Sequence, residues 1–387
     1  MAMKNRLIPI KLMDARDHAP IIFTVILLAL CTLVIVGGCK QNEPAVVKKK
    51  VPMELMMPDH GAYNGAYVDF GEGESNVTYD ALTAFDKMVG KHLAVVAFGN
   101  FWGDQEFPLK TVKIISGYGA IPLLFWSPWE KPYEENKGPD RFNLPDILAG
   151  KWDRYIDKWA DAAREYDKPI MVTWGLEMNG TWFPWSGKYY GGGEVTGEKE
   201  GRPLYKGPEL VKKTYRYVVD RVRGRRADNI IWGFHANNFS APQEPWNAMA
   251  NYYPGDDYVD WLGLSVYGKM GRHDTWSSFH DAMEMGYGDI CKLNPAKPVI
   301  VAEWGVGEFP SDDKAGFITR AFSDMKTQYR RVRAAVYWHE RWENKDGSYS
   351  NLHVNSSPAA LDAYRSGVAD PYWIGRPQFR KRRSLLQ

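Results

Sequence analysis

Two glutamates far apart in the chain stand where proton-transfer chemistry is expected. Glu177 follows a short β-rich apolar run at residues 170–174, with Asn179, Trp182 and Trp185 close behind it. A carboxyl at a strand end among aromatic side chains is desolvated, which raises its pKa and suits it to donate a proton. Glu303 follows a second apolar run at residues 298–302. If both runs are strands of one sheet pointing the same way, the two carboxylates can bracket one bond. A protonated acid that releases a leaving oxygen, beside an ionised carboxylate that traps a sugar, is the chemistry of retaining glycoside cleavage, and it needs the carboxyls about 5–5.5 Å apart. Their surroundings should push the two pKa values apart, Glu177 raised by tryptophan burial and Glu303 held ionised by donors such as Tyr267. Glu308 and Glu340 also lie near strand ends, where ion pairs or polar contacts are the expected role.

The elements that would position this pair follow from periodicity. Apolar runs too short and too β-rich for helices lie at residues 65–70, 93–98, 121–126, 170–174, 230–234, 261–266, 299–302 and 335–338. Between them, residues 79–89, 107–117, 151–166, 208–223, 276–293 and 312–329 read as helices, with Pro208 in a first turn and Ser311 and Asp312 as a cap. Eight such units predict a (β/α)8 barrel. An open doubly wound sheet usually shows a glycine-rich turn after its first strand, and none is present. A barrel places function at the C-terminal strand ends, and those ends are rich in polar and aromatic residues. They carry Asn100 and Trp102, Ser127 and Trp129, Glu177 and Asn179, His235 with Asn237 and Asn238, Tyr267, Glu303 with Trp304, and His339 to Trp342. Trp126 and Trp338, inside strands, suit packing, whereas Trp102, Trp129 and Trp342, beyond the ends, suit stacking on sugar faces.

These residues resemble glycoside hydrolase family 26, the β-mannanase family of a clan whose acids lie on strands four and seven. The resemblance runs from about residue 65 to 342. It rests on Glu177, Met178, Asn179 and Gly180 followed by Trp182 and Trp185, on the stretch 253–267, and on Glu303 with Trp304 and Gly305. It implies Glu177 as acid/base, Glu303 as nucleophile, Tyr267 as the nucleophile's hydrogen-bond partner and Trp182 as a stacking platform. Asn179, His235, Asn237 and Trp304 complete the substrate-binding candidates. The implied activity is retaining endo-β-glycosidase, with mannan first and mixed-linkage β-glucan as the alternative. One position departs from the family: Leu176 stands where the family usually has His. Leucine donates no hydrogen bond, so either His235 or Asn237 supplies it, or activity and substrate differ. That departure is also what favours a non-catalytic carbohydrate-binding or polysaccharide-assembly protein on the same barrel.

The remaining sequence bounds the setting. Residues 1–20 carry Lys4, Arg6, Lys11 and Arg16, and residues 20–38 are apolar and uncharged. This reads as an export signal, and Gly37, Gly38 and Cys39 resemble a lipobox whose cysteine is lipidated; an uncleaved transmembrane anchor is the alternative. Expected boundaries are 1–39 signal and anchor, 40–58 linker, 59–366 barrel and 367–387 basic tail. With three cysteines in all, two of them in the signal, Cys291 is left without a partner, a small buried hydrophobe in a helix. A formal charge of +2 argues against nucleic acid as partner. The eight histidines are dispersed, without a paired helical motif, so neither a metal nor a cofactor is expected. Gly191 to Gly193 lack the Lys and Ser/Thr of a phosphate loop and read as part of a long loop after strand four. The expected partner is a polysaccharide, met outside the cytoplasm by a monomer.

Overall fold

The computed structural model describes residues 53–71, 73–130 and 138–381. The export segment, Cys39 and most of the linker lie outside the described residues. Eight parallel strands form the centre: β1 (Ala62–Val68), β2 (Val95–Phe101), β3 (Ile121–Ser127), β4 (Ile170–Trp174), β5 (Ile230–Asn237), β6 (Trp261–Tyr267), β7 (Val299–Gly305) and β8 (Val332–His339). Each pairs with the next, and β8 closes on β1 from Ala334 opposite Tyr63 to His339 opposite Val68. The sheet is therefore a closed barrel. Its strands are covered on both faces, which is why they read as nearly continuous apolar runs.

Several strands run further towards their C-terminal ends than expected. β5 reaches Asn237, β6 Tyr267, β7 Gly305 and β8 His339, so residues expected beyond the strands are still governed by two-residue alternation. The stretch 276–293 forms two helices, Phe279–Glu284 and Tyr287–Leu293, separated at Gly286. A Cβ at Gly286 would stand 2.6 Å from the Asn238 carbonyl oxygen, a closeness only glycine permits. Cys291 is half-buried, not buried as expected.

The boundaries at 58 and 366 need correction. A helix, Pro358–Ala369, runs through the second, and Trp373–Ile374 then pairs with Ala62 and Tyr63 of β1. Gln378–Lys381 pairs antiparallel with Met53–Met56, and Arg380 meets Glu54 at 2.9 Å. Residues on both sides of the expected linker and tail boundaries thus belong to the folded body. Partners more than 300 residues apart leave no local signature.

The barrel interior is filled by matching large rings to missing side chains. The inward face of β6 carries Trp261, fully buried, and its indole occupies the space beside Gly233. A Cβ at Gly233 would lie 2.1 Å from that ring. Gly233→Ala is accordingly expected to destabilise the fold by at least about 1–3 kcal/mol through overpacking, read as a lower midpoint in denaturant unfolding. A midpoint equal to that of the unsubstituted protein would mean that Trp261 can swing aside. On the outer layer, Trp126 of β3 stacks at 4.0 Å on Trp159 of the helix Asp153–Tyr166.

Candidate active site

The end of β4 is built to present one carboxyl. Gly175 and Glu177 both take left-handed backbone, φ 59 and φ 51. For a glutamate this costs on the order of 1–3 kcal/mol, strain of the kind that concentrates at functional sites. The turn is held because the Glu177 amide donates to the His235 carbonyl at 2.8 Å and the Glu177 carbonyl accepts from Gly180 at 2.9 Å. Gly180 has a steric duty: a Cβ there would fall 2.5 Å from the Trp182 ring. With that space free, Trp182 folds back and its Nε1 donates to Glu177 Oε2 at 2.5 Å. The spacing of acid, glycine and tryptophan therefore has a physical reason.

β7 brings the second carboxyl. Its pairing with β6 is irregular between Val301 and Glu303, and Glu303 then comes into register with Ser265. Tyr267 donates its hydroxyl to Glu303 Oε2 at 2.7 Å. One oxygen of Glu177, one of Glu303 and one ring nitrogen of His235 all lie within 4.8 Å of one another. This is the close carboxyl spacing that retaining chemistry needs, shorter than the roughly 6.5–9.5 Å of an inverting pair. Two carboxylates and an imidazole also have the composition of a cation site. Each carboxylate, however, already accepts from an N–H or O–H donor, as an acid pair does.

Electrostatics correct one expectation. Burial pushes Glu177 up, against hydrogen bonds from Ser265 and Trp182 that lower it. Burial pushes Glu303 well above the usual carboxylate range, and the Glu177 charge adds to this, while Tyr267 opposes. Glu303 is thus not held ionised by its donor alone. Two buried carboxyls this close ionise one at a time, so the pair carries one proton and one charge. His235 is pushed down to about 3 by burial and stays neutral. Its Nε2 pairs with Ser265 Oγ at 2.8 Å.

Several expected sugar contacts prove structural. Trp102 is fully buried against Trp126, Phe142 and Tyr155, and Trp304 is packed outside the barrel among Phe279, Phe322 and Tyr337. Neither offers a face to a ligand. In β7 the alternation that turns Glu303 inward turns Trp304 outward. Asn179 is also fully buried: its amide donates to the Asn237 and Phe239 carbonyls and its oxygen accepts from the Asn237 amide. The Asn237 side chain donates to the Phe239 carbonyl at 2.9 Å within its own loop. Both clamp the loops after β4 and β5. His235, with no exposed surface, lies beneath the acids. Trp129 is wedged edge-on against Phe183 and Trp185, and Trp342 is half-buried on a hairpin after β8. Glu308 binds Ser356 and Ser357, and lines a separate cavity of about 370 Å³ with Arg272, Phe309 and Tyr349. Leu176 is buried and apolar; Ser265 and Trp182 supply hydrogen bonds to the acid.

Other functional candidates emerge only from the packing. Ser265 could have been found from parity, two residues before Tyr267 on the same face. Trp338 points inward, stacked at 4.1 Å on Tyr67, and donates to Glu340 at 2.6 Å. Phe239, 46% exposed, stands edge-on to Trp182 and extends an aromatic rim on the Glu177 side. Glu74, on the loop after β1, is buried and pushed up to about 8 by desolvation and then by the Glu340 charge. Its folded pKa exceeds the unfolded value, so between about pH 4.5 and pH 8 the folded state holds the extra proton and stability falls as pH rises. Glu74→Gln is expected to remove that share of the decline, on the order of 5 kcal/mol at full effect, as measured by unfolding midpoints from pH 4 to 9. Parallel curves for the two proteins would refute it.

Comparisons with known proteins agree with this geometry. A family model described as glycosyl hydrolase family 26 matches residues 142–349, more than half of the chain and inclusive of both acids. Endoglucanase H of Acetivibrio thermocellus is 30% identical over 317 residues, 80% of this chain and 31% of that protein. A mannan endo-1,4-beta-mannosidase of Bacillus subtilis is 29% identical over 248 residues, 63% of this chain and 58% of that protein. The chain thus spans less than two thirds of either relative. Among solved structures, the catalytic domain of an endo-beta-1,4-mannanase from a Bacillus species aligns with a TM-score of 0.59 at 17% identity, covering 81% of this chain and 87% of the other, a likeness of fold.

Proposed function

Because the chain belongs to glycosyl hydrolase family 26, we propose that this glycoside hydrolase is a retaining endo-β-glycosidase acting on a polysaccharide by double displacement. The observation that carries the reading is the approach of a Glu177 and a Glu303 oxygen to within 4.8 Å. Glu303 attacks the anomeric carbon and forms a glycosyl-enzyme bond while Glu177 gives its proton to the departing oxygen. Glu177 then takes a proton from water, which attacks the same carbon and frees Glu303. The Tyr267 hydroxyl is pushed well above its usual range by burial, then by the Glu303 charge, so it remains a donor that orients the nucleophile. Trp182 orients the acid and presents a half-buried ring to the leaving side.

Mannan is the first substrate in this reading. β-Glucan is the second, favoured by the relative named an endoglucanase, which aligns over the larger share of the chain. Mannan, glucomannan, mixed-linkage β-glucan and xylan are to be compared by reducing-end release, and the anomer first formed read by NMR. Retention of configuration is expected. An inverted first product would refute double displacement, and binding without release from any polymer would favour a carbohydrate-binding protein. The segment ending at Cys39 acts, in the same reading, as an export signal and lipid anchor. Cys39→Ser should move the protein from the membrane to the soluble envelope fraction, and an unchanged distribution would point to an uncleaved anchor.

A further inference from the structure

Buried titratable groups outside the acid pair are mostly accounted for. Lys314 donates to the Asn351 and His353 carbonyls, and His339 Nδ1 accepts from the Val354 amide. Glu74 is one of the exceptions, and it faces the barrel. It is 7% exposed, and its Oε1 is buried with no hydrogen-bond partner among the described residues. Its Oε2 stands over Gly99 of β2, where a Cβ would be only 2.2 Å away. Gly99 shares its strand face with Val95, whose Cβ packs beside Gly65 inside the barrel, so the Glu74 carboxyl is aimed into the barrel mouth.

Glu340, half-exposed at the end of β8, lies in the same compartment. Its charge raises Glu74, and the charges of both raise Glu303. The Tyr67 hydroxyl beside them is buried and likewise without a partner among the described residues. Polar groups left unpaired in a buried site are destabilising unless a partner arrives to satisfy them. The partner must donate hydrogen bonds, fit against Trp338 and carry no negative charge. A sugar ring with free hydroxyls meets all three conditions. Tyr67 of β1 and Trp338 of β8 border this compartment, and β8 pairs with β7, which carries Glu303, whereas β4, which carries Glu177, lies across the barrel. The compartment is therefore on the nucleophile's side, where the glycone sits.

We propose that Glu340 and Glu74 are specificity-determining residues that hydrogen-bond hydroxyls of the glycone-side sugar, and that the Glu340 carboxylate restricts the enzyme to backbones without uronic acids there. The inference rests on the retaining-hydrolase reading, so binding and hydrolysis are measured separately. In the full chain, kcat and KM of Glu74→Ala, Glu74→Gln and Glu340→Gln are compared on the preferred neutral polymer and on the same polymer oxidised at C6 to uronate. Calorimetry in a Glu177→Ala background gives oligosaccharide affinity without turnover. Glu74→Ala and Glu340→Gln should each raise KM for the neutral polymer about tenfold and weaken oligosaccharide binding to match, and Glu340→Gln, which removes a charge, should narrow the preference for neutral over oxidised polymer. Kinetics and affinity within twofold of the unsubstituted protein in folded Glu74→Ala and Glu340→Gln, with only the unfolding midpoint moved, would overturn the proposal and leave Glu74 a structural buried acid. Loss of oligosaccharide affinity in a protein that hydrolyses nothing would sink the hydrolase reading while the subsite stood.

Discussion

Glu303→Ala should lower kcat/KM on the preferred polysaccharide by at least about 10⁴-fold, because it removes the atom that forms the covalent intermediate. Neither Tyr267 nor His235 can replace it. The tyrosine hydroxyl is pushed well above its usual range, and the imidazole is buried without exposed surface. The same substitution takes one charge from the buried pair, so the variant should fold at least as well as the unsubstituted protein. A small nucleophilic anion such as azide should restore part of the activity and yield a glycosyl azide of inverted configuration. Rates near those of the unsubstituted protein would remove Glu303 from the mechanism and direct attention to Glu340.

The second large effect is expected at Glu177. Glu177→Ala should lower kcat on polymer by about 10²–10⁴-fold while sparing the first step for aryl glycosides whose leaving group needs no proton. Its pH profile is the more telling readout. Turnover needs one proton on the pair. Activity should fall at low pH, where a second proton neutralises Glu303, and again at high pH, where the last proton leaves Glu177. Because burial raises both carboxyls, the alkaline limb should lie above the usual carboxylate range. In Glu177→Ala that proton no longer exists, and the alkaline limb should vanish from the aryl-glycoside profile of kcat/KM. A variant that keeps this limb, or loses equally on both kinds of substrate, would show that another group is the acid.

What the sequence by itself determined was the repeating pattern and its polarity. Short apolar runs alternating with amphipathic stretches left few architectures open, and a closed barrel forces chemistry to one rim, so Glu177 and Glu303 were legible as a pair, while the roles of Tyr267 and Trp182 came with the resemblance to the family. The type of the two acids and their place at the C-terminal ends of apolar runs carried that information. What only the tertiary structure decided was which way neighbouring side chains face and what lies across the barrel from them. Trp304 and Trp102 sit at the right end of the right strands but point into the outer layer. Asn179 is consumed by loop carbonyls supplied from β5 and the loop after it, some 60 residues further along the chain. The surroundings of Glu303 were not legible because its proton affinity depends less on its donor than on burial and on the charge of Glu177, both products of barrel closure. Glu74 was invisible for the same reason: a loop carboxylate becomes part of the mouth only because Gly99, on another strand, leaves a space the size of a side chain.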